Sequence, residues 1–175
     1  ASMSNVLEHG RNLQKLDCSY CPLRGPQIIR AFAQPGLASN RTLIELNLSW
    51  CTLTNNDFTV IVDALVGNDI LEILDVMHNL LTCRALVDIT RLIESSHIHS
   101  VSFGPEAHGE DDHGTVFNLE GGEHAQRFAQ VLSRNKFAKT LYNCSRSSSS
   151  WGMPSSLVLK ALERYTTLES WNSPL

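Results

Sequence analysis

Hydrophobic and polar positions alternate over short stretches of this chain, and those stretches share one pattern. The clearest is LIELNLSWCTL, residues 43–53, with leucine at the first, fourth, sixth and last positions. The alternation through Leu46, Asn47 and Leu48 predicts a short strand that places its leucines on one face. Cys51 then marks a turn, where we expect its small side chain to bond the backbone of the next turn before Leu53 returns to the core.

The same pattern recurs along the chain. Clear copies start at Leu13, Leu71 and Ile98, and degenerate copies start at Ala138 and Leu168. The starts, including Leu43, are therefore 30, 28, 27, 40 and 30 residues apart. A spacing near 28 residues is typical of repeats in which each strand is followed by a helix. The long interval predicts an insertion, which we place at residues 104–124.

The pattern L-x-x-L-x-L-x-x-C-x-L resembles that of leucine-rich-repeat proteins, and its spacing resembles their ribonuclease-inhibitor-like branch. The resemblance implies an α/β fold, a solenoid of five to six repeats that spans residues 1–175 as a single domain. Such a solenoid is a right-handed β-α superhelix with a parallel sheet on the concave face and helices on the convex face. Because the first and last pieces are partial repeats without polar caps, we expect the domain to be a segment of a larger protein.

Helices are predicted between the strands from apolar spacing and from capping residues. The first opens at Gly25-Pro26 and ends at Pro35-Gly36, and the second follows the N-cap candidates at 54–56. An N-terminal helix that packs through Val6 and Leu7 is also expected. The residues expected to face the sheet are Ile28, Ile29, Phe32, Val60, Ile61, Ala64, Leu65, Leu86, Ile89, Leu92, Ile93, Ala125, Phe128, Val131, Leu132, Leu157, Val158, Ala161 and Leu162.

Charge and cysteine content narrow the function. The net charge of −4 argues against nucleic acid or an anionic membrane as the main partner. No apolar run approaches the roughly 18 residues of a membrane span. Five cysteines, an odd number spread over repeat positions, favour a reducing compartment, so we expect a cytoplasmic protein. The repeat pattern already accounts for Cys18-x-x-Cys21, so we predict no metal and no cofactor.

The candidate site lies between the pattern leucines, where side chains line the predicted concave face in columns. Tyr20, Trp50 and His78 fall one above another where three strands end, beside acidic residues. Exposed aromatics with a charged rim are typical of protein-binding patches, and Trp50 is the expected anchor. The alternative is that the rings pack on one another and cover backbone. The predicted partner-binding residues are Lys15, Asp17, Tyr20, Glu45, Asn47, Trp50, Asp75, Met77, His78 and Ser102.

The insertion is a second candidate, because acidic residues and histidines crowd into residues 106–124. Three readings stay open: a divalent metal site, a loop that contacts a partner, and a solvated loop. The spacing of these residues matches no known metal site, which weakens the first reading.

The predicted function is a non-enzymatic protein-protein interaction module or scaffold that binds a partner protein. The chain contains no nucleophile elbow, no phosphate-binding glycine loop and no H-E-x-x-H motif. The resembling family includes ribonuclease inhibitors, tropomodulins and sensor regions of immune receptors, which all recognise partners through their surfaces. The same family implies two alternatives, a GTPase-activating protein and a ubiquitin-ligase substrate adaptor.

Overall fold

Six short strands form one parallel sheet in the computed structural model. The structure describes residues 3–23, 25–82, 84–103, 123–132, 134, 140–143 and 170–172. The strands are β1 (Lys15–Asp17), β2 (Glu45–Asn47), β3 (Ile73–Asp75), β4 (Ser100–Phe103), β5 (Thr140–Asn143) and β6 (Ser170–Asn172). They lie in chain order, and each pairs with the next in parallel. The predicted parallel sheet is therefore confirmed.

The register of the sheet follows the leucine pattern. The central residues of the six strands form one row, made of Leu16, Leu46, Leu74, Val101, Leu141 and Trp171. Leu46, Leu74 and Val101 are fully buried, as alternating strand residues on the core side must be. The face predicted for Leu46 is therefore continued by Leu74 and Val101 on the neighbouring strands, and Leu141 pairs with Val101.

Helices cover one face of the sheet. They are α1 (Met3–His9), α2 (Pro26–Ala31), α3 (Asn55–Leu65), α4 (Ala85–Ser95) and α5 (Glu123–Leu132). α4 packs between α3 and α5. Their apolar stripes meet the buried strand residues, and Phe58, Phe103 and Phe128 are fully buried in the resulting core. Polar side chains are thereby left to the opposite face of the sheet.

The start of α3 is set by local sequence. The Thr54 hydroxyl accepts a hydrogen bond from the Asp57 amide, and the Asp57 carboxylate accepts one from the Thr54 amide at 2.9 Å. This reciprocal capping box satisfies two amides that the helix itself leaves without partners. At the other end, Gly67 has φ 76° and the Asn68 amide donates to the Leu65 carbonyl. The predicted start of this helix is confirmed.

Two predictions near the N-terminus are wrong. Ile28 is 52% exposed and Val6 is 45% exposed, so neither packs in the core. Adjacent helical residues point about 100° apart, and in α2 the inward position belongs to Ile29. The predicted end of this helix at Pro35-Gly36 is confirmed, because the helical backbone breaks directly before Pro35, at Gln34, which has φ −134° and ψ 123°.

Asn79 holds two successive turns together from inside the core. Its side chain is fully buried, and its Oδ1 accepts hydrogen bonds from the amides of Cys51 and Leu53 at 3.0 and 2.9 Å. Its Nδ2 donates to the carbonyls of Leu48 and Val76 at 2.8 and 3.0 Å. The side-chain amide of Asn79 therefore supplies hydrogen-bond partners to four buried backbone groups in two neighbouring repeats.

Cys51 occupies the position in the preceding repeat that is equivalent to that of Asn79. Its thiol donates to the Cys18 carbonyl at 3.0 Å. The bond expected from the sequence is present, but it reaches the preceding coil rather than the next. Leu53 is fully buried, as predicted.

The predicted insertion at residues 104–124 lies outside the described residues apart from the first two residues of α5. The helix expected from residue 154 onward, with Leu157, Val158, Ala161 and Leu162, also lies outside them.

Candidate functional site

The face of the sheet opposite the helices, which we call the strand face, presents side chains in two rows that are polar except for Ile73. The row at the strand start contains Lys15, Glu45, Ile73 and Ser100, and the row at the strand end contains Asp17, Asn47, Asp75 and Ser102. These rows are the columns predicted between the pattern leucines. In the first, Lys15 Nζ and a Glu45 carboxylate oxygen form an ion pair at 2.6 Å.

Side chains of the strand-end row also form hydrogen bonds within the turns that follow their own strands. Each of Asp17, Asn47 and Asp75 accepts a hydrogen bond, through Oδ1, from the amide two residues later, at 2.8, 2.9 and 2.9 Å. This is the Asx turn, in which a short side chain substitutes for backbone in closing a turn. The three residues therefore shape the turn after each strand while their side chains line the strand face.

Each of these turns carries one ring side chain, and together Tyr20, Trp50 and His78 form what we call the aromatic ladder. The Tyr20 and Trp50 rings stack with centroids 5.5 Å apart and planes 7° apart. Trp50 and His78 stack at 4.3 Å and 22°. Tyr20 is 70% exposed, whereas Trp50 and His78 are half-buried. The predicted vertical arrangement is confirmed, and the most exposed ring is that of Tyr20.

The ladder residues share an uncommon backbone conformation. Their φ angles are 59°, 60° and 55°, in the left-handed region that glycine and asparagine ordinarily occupy. Sheet-like hydrogen bonds fix two of them, from the Tyr20 amide to the Ser49 carbonyl at 3.0 Å and from the Trp50 amide to the Met77 carbonyl at 3.1 Å. The backbone thus imposes the conformation, and the rings project from it in register. Nothing in the leucine pattern predicted these angles.

The two carboxylates of the strand-end row differ in their environment. Hydrogen bonds from Ser19 lower the pKa of Asp17, whose side chain is exposed. Burial raises the pKa of Asp75, and the charge of Asp17 adds to the rise, although the Met77 amide and His78 oppose it. The folded protein therefore stabilises the ionised form of Asp17 and disfavours the ionised form of Asp75.

Replacing Asp75 by asparagine tests this difference, because Asn47 already makes the same turn one coil earlier. A carboxyl with a raised folded pKa contributes stability below its unfolded pKa of about 3.9 and loses that contribution as pH rises through the folded value. We expect Asp75→Asn to match the wild type in stability near pH 3 and to exceed it at pH 7, where asparagine carries no charge to desolvate.

Urea unfolding of both proteins from pH 3 to pH 7 measures that gain. Asp75→Ala is the control, since it removes the turn acceptor as well as the charge and should be less stable throughout. A stability difference between Asp75→Asn and the wild type that does not change with pH would contradict this account of Asp75.

The remaining predicted site residues lie close to these groups. Met77 and Ser102 are half-buried, Met77 in the turn after β3 and Ser102 in the strand-end row. The structure thus brings all ten predicted residues onto the strand face or the turns that follow it. Sequence reasoning did not single out Asn79, although an asparagine at the turn position of the repeat pattern was the available signal.

The cysteines predicted to be reduced are free thiols where the structure describes them, at Cys18, Cys21 and Cys51. Burial raises the pKa of the Cys18 and Cys51 thiols to about 11. Cys21 is exposed. Across the described ranges, no three histidine, cysteine or acidic side chains are arranged to hold a metal ion. Among the helices in these same ranges, none has the length and apolar character needed to cross a membrane.

Comparison with known proteins supports the repeat architecture. The family model described as Leucine Rich Repeat matches residues 12–33. No curated protein matches the sequence. A solved structure titled leiomodin-1 actin-binding site 2 is similar with a TM-score of 0.68 and 16% sequence identity, covering 93% of this chain and 86% of that chain.

The C-terminal domain of tropomodulin from Caenorhabditis elegans is similar with a TM-score of 0.65 and 14% identity, covering 93% of this chain and 90% of that chain. The matched repeat, the parallel sheet and these two structures together show that the chain has the leucine-rich-repeat fold.

Proposed function

We propose that this chain is a non-enzymatic protein-interaction module that holds a partner protein on its strand face and aromatic ladder. The observation that carries the proposal is the ladder itself. Three ring side chains stack in register at positive φ, beside two rows of polar side chains. Stacked rings with a polar rim supply the buried anchors and the hydrogen bonds that protein interfaces combine.

The exposure of the ladder favours a binding role over a purely structural one. A non-glycine residue in the left-handed region costs roughly 1–2 kcal/mol, which stacking and the burial of ring area offset. The Tyr20 side chain nevertheless stays 70% exposed, so most of its surface is open to a partner.

We further propose that the fold is a ribonuclease-inhibitor-like solenoid of five or six repeats with the strand face on its concave side. Such a solenoid would curve the aromatic ladder and the two rows of the strand face around a partner. This proposal is supported by the spacing of the pattern leucines and by the sheet, in which the strands lie in the order of the chain. The free thiols at Cys18, Cys21 and Cys51 support a reducing, cytoplasmic setting.

Actin is the first candidate partner to test, because the similar leiomodin-1 structure is described as an actin-binding site. The similarity to leiomodin-1 extends over most of both chains, so the two chains share the fold that would present such a surface. The side chains on the strand face decide whether the same partner fits, and 16% identity leaves most of them free to differ.

Hydroxyl-radical footprinting tests the proposed surface with purified actin, and then with partners captured from a cell lysate. Tyr, Trp and Met side chains oxidise readily when exposed, and the site contains one of each. We expect a bound partner to slow the oxidation of Tyr20, Trp50 and Met77 and to leave Ile28, exposed on α2, unchanged. Protection of Ile28 with continued oxidation of the ladder would overturn the proposal.

A further inference from the structure

The charge on the strand face is one-sided once its ion pair is taken into account. Lys15 and Glu45 neutralise each other at 2.6 Å. The charges that remain in the two rows are the carboxylates of Asp17 and Asp75, on β1 and β3 with neutral Asn47 between them. Adjacent strands lie about 4.8 Å apart, so these carboxylates are about 10 Å apart across the sheet.

The most exposed ring of the ladder, Tyr20, follows the strand that carries the first of these carboxylates. One face of the Tyr20 ring stacks on Trp50, and the side chain is nevertheless 70% exposed. Asp17 belongs to the same turn, because its Oδ1 holds the Ser19 amide at 2.8 Å. An exposed aromatic ring beside an exposed carboxylate is the pair of groups that recognises a guanidinium, through its planar face and its N–H donors respectively.

We propose that the partner segment that binds this surface is extended and basic, with one arginine stacked on the exposed ring of Tyr20 and paired with Asp17. A second basic side chain three residues along pairs with Asp75. This inference rests on the proposed function and adds the chemistry of the partner to it. In an extended polyproline-type segment, side chains three residues apart point the same way and lie about 9 Å apart, which matches the separation of the two carboxylates.

The same charges disfavour other classes of partner. An acidic or phosphorylated segment would bring like charges onto Asp17 and Asp75 at an interface, which costs affinity. A neutral segment would bury Asp75 further without bringing a positive charge to it. Arginine suits the site better than lysine because a planar guanidinium can stack on a ring and, at the same time, donate two hydrogen bonds to a carboxylate.

The test uses fluorescence anisotropy of a labelled octapeptide, with arginine at its third and sixth positions and proline, serine and glycine elsewhere. Three matched peptides replace both arginines by citrulline, by lysine, or move the second arginine next to the first. We expect citrulline to weaken binding at least tenfold at low ionic strength, and lysine or the altered spacing to weaken it about threefold.

Variants of the protein separate the site from general attraction to an acidic chain. Asp17→Asn keeps the turn acceptor, as Asn47 does one coil later, and Tyr20→Phe keeps the ring. We expect Asp17→Asn and Tyr20→Ala to weaken binding of the arginine peptide about three- to tenfold. Tyr20→Phe should bind within twofold of the wild type. So should Asp69→Asn, which removes an exposed charge from the loop before β3.

Two results would overturn the inference. One is equal binding of the arginine and citrulline peptides, including no binding of either. The other is a loss in Asp69→Asn as large as that in Asp17→Asn, which would indicate attraction to net charge alone. Neither result touches the proposed function, because footprinting with a whole partner protein reports on that separately.

Discussion

Replacing Asn79 by alanine is expected to lower the free energy of unfolding by about 4 kcal/mol. The substitution leaves the amides of Cys51 and Leu53 without their acceptor and the carbonyls of Leu48 and Val76 without a donor, all inside the core. Each buried polar group that loses its partner costs roughly 1–3 kcal/mol. For a domain of ordinary stability this is a large share of the total. Urea unfolding followed by circular dichroism measures it.

Two controls show whether the effect comes from the buried hydrogen bonds. Asn56→Ala removes an exposed asparagine from the first turn of α3 and should change stability by less than about 0.5 kcal/mol. Asn79→Cys copies Cys51, whose thiol donates to a carbonyl of the preceding coil, and should fall between the two. An Asn79→Ala protein as stable as Asn56→Ala would show that these bonds do not hold the turns together.

The sheet was predictable because side chains of a strand alternate with a fixed period. Once the leucines of three copies were aligned, burial of Leu46 required burial of Leu74 and Val101 at the same level, and the register followed. The same argument placed Tyr20, Trp50 and His78 in one stack, because each follows its strand by the same number of residues.

The conformation of the ladder was not predictable from that alignment. Spacing reports which residues lie side by side, and it carries no information on φ. Tyrosine, tryptophan and histidine are also poor indicators of a left-handed residue, which sequence reading usually infers from glycine or asparagine. The clue that was present lies three residues earlier, where Asp17, Asn47 and Asp75 are residues that commonly close Asx turns.

The exposed Ile28 shows a different limit of sequence reading. Either of the adjacent isoleucines at 28 and 29 could face the core, depending on how the helix is rotated about its axis. α2 is too short for the positions of its other apolar residues to decide between these two orientations. Packing against residues 32–37 selects Ile29, which is 1% exposed. Tertiary packing therefore settled what periodicity left undetermined.

Trp50 is the residue whose loss should affect binding most. Its ring lies between those of Tyr20 and His78, so truncation removes the centre of the ladder as well as its own contact area. Central aromatic residues of interfaces typically contribute 2 kcal/mol or more, which corresponds to about a 30-fold loss of affinity. Trp50→Ala keeps the strained backbone at φ 60°, whereas glycine occupies that region freely. Trp50→Gly should therefore be at least as stable as Trp50→Ala.

The affinity of the Trp50 variants for the bound partner is the measurement that tests the binding surface most directly. Wild type, Trp50→Ala, Trp50→Gly and Arg30→Ala, which removes a large exposed side chain from α2, are immobilised and compared with one purified partner protein. The account predicts a loss of at least 30-fold in both Trp50 variants and none in Arg30→Ala. Folded Trp50 variants that bind as tightly as the wild type would contradict it.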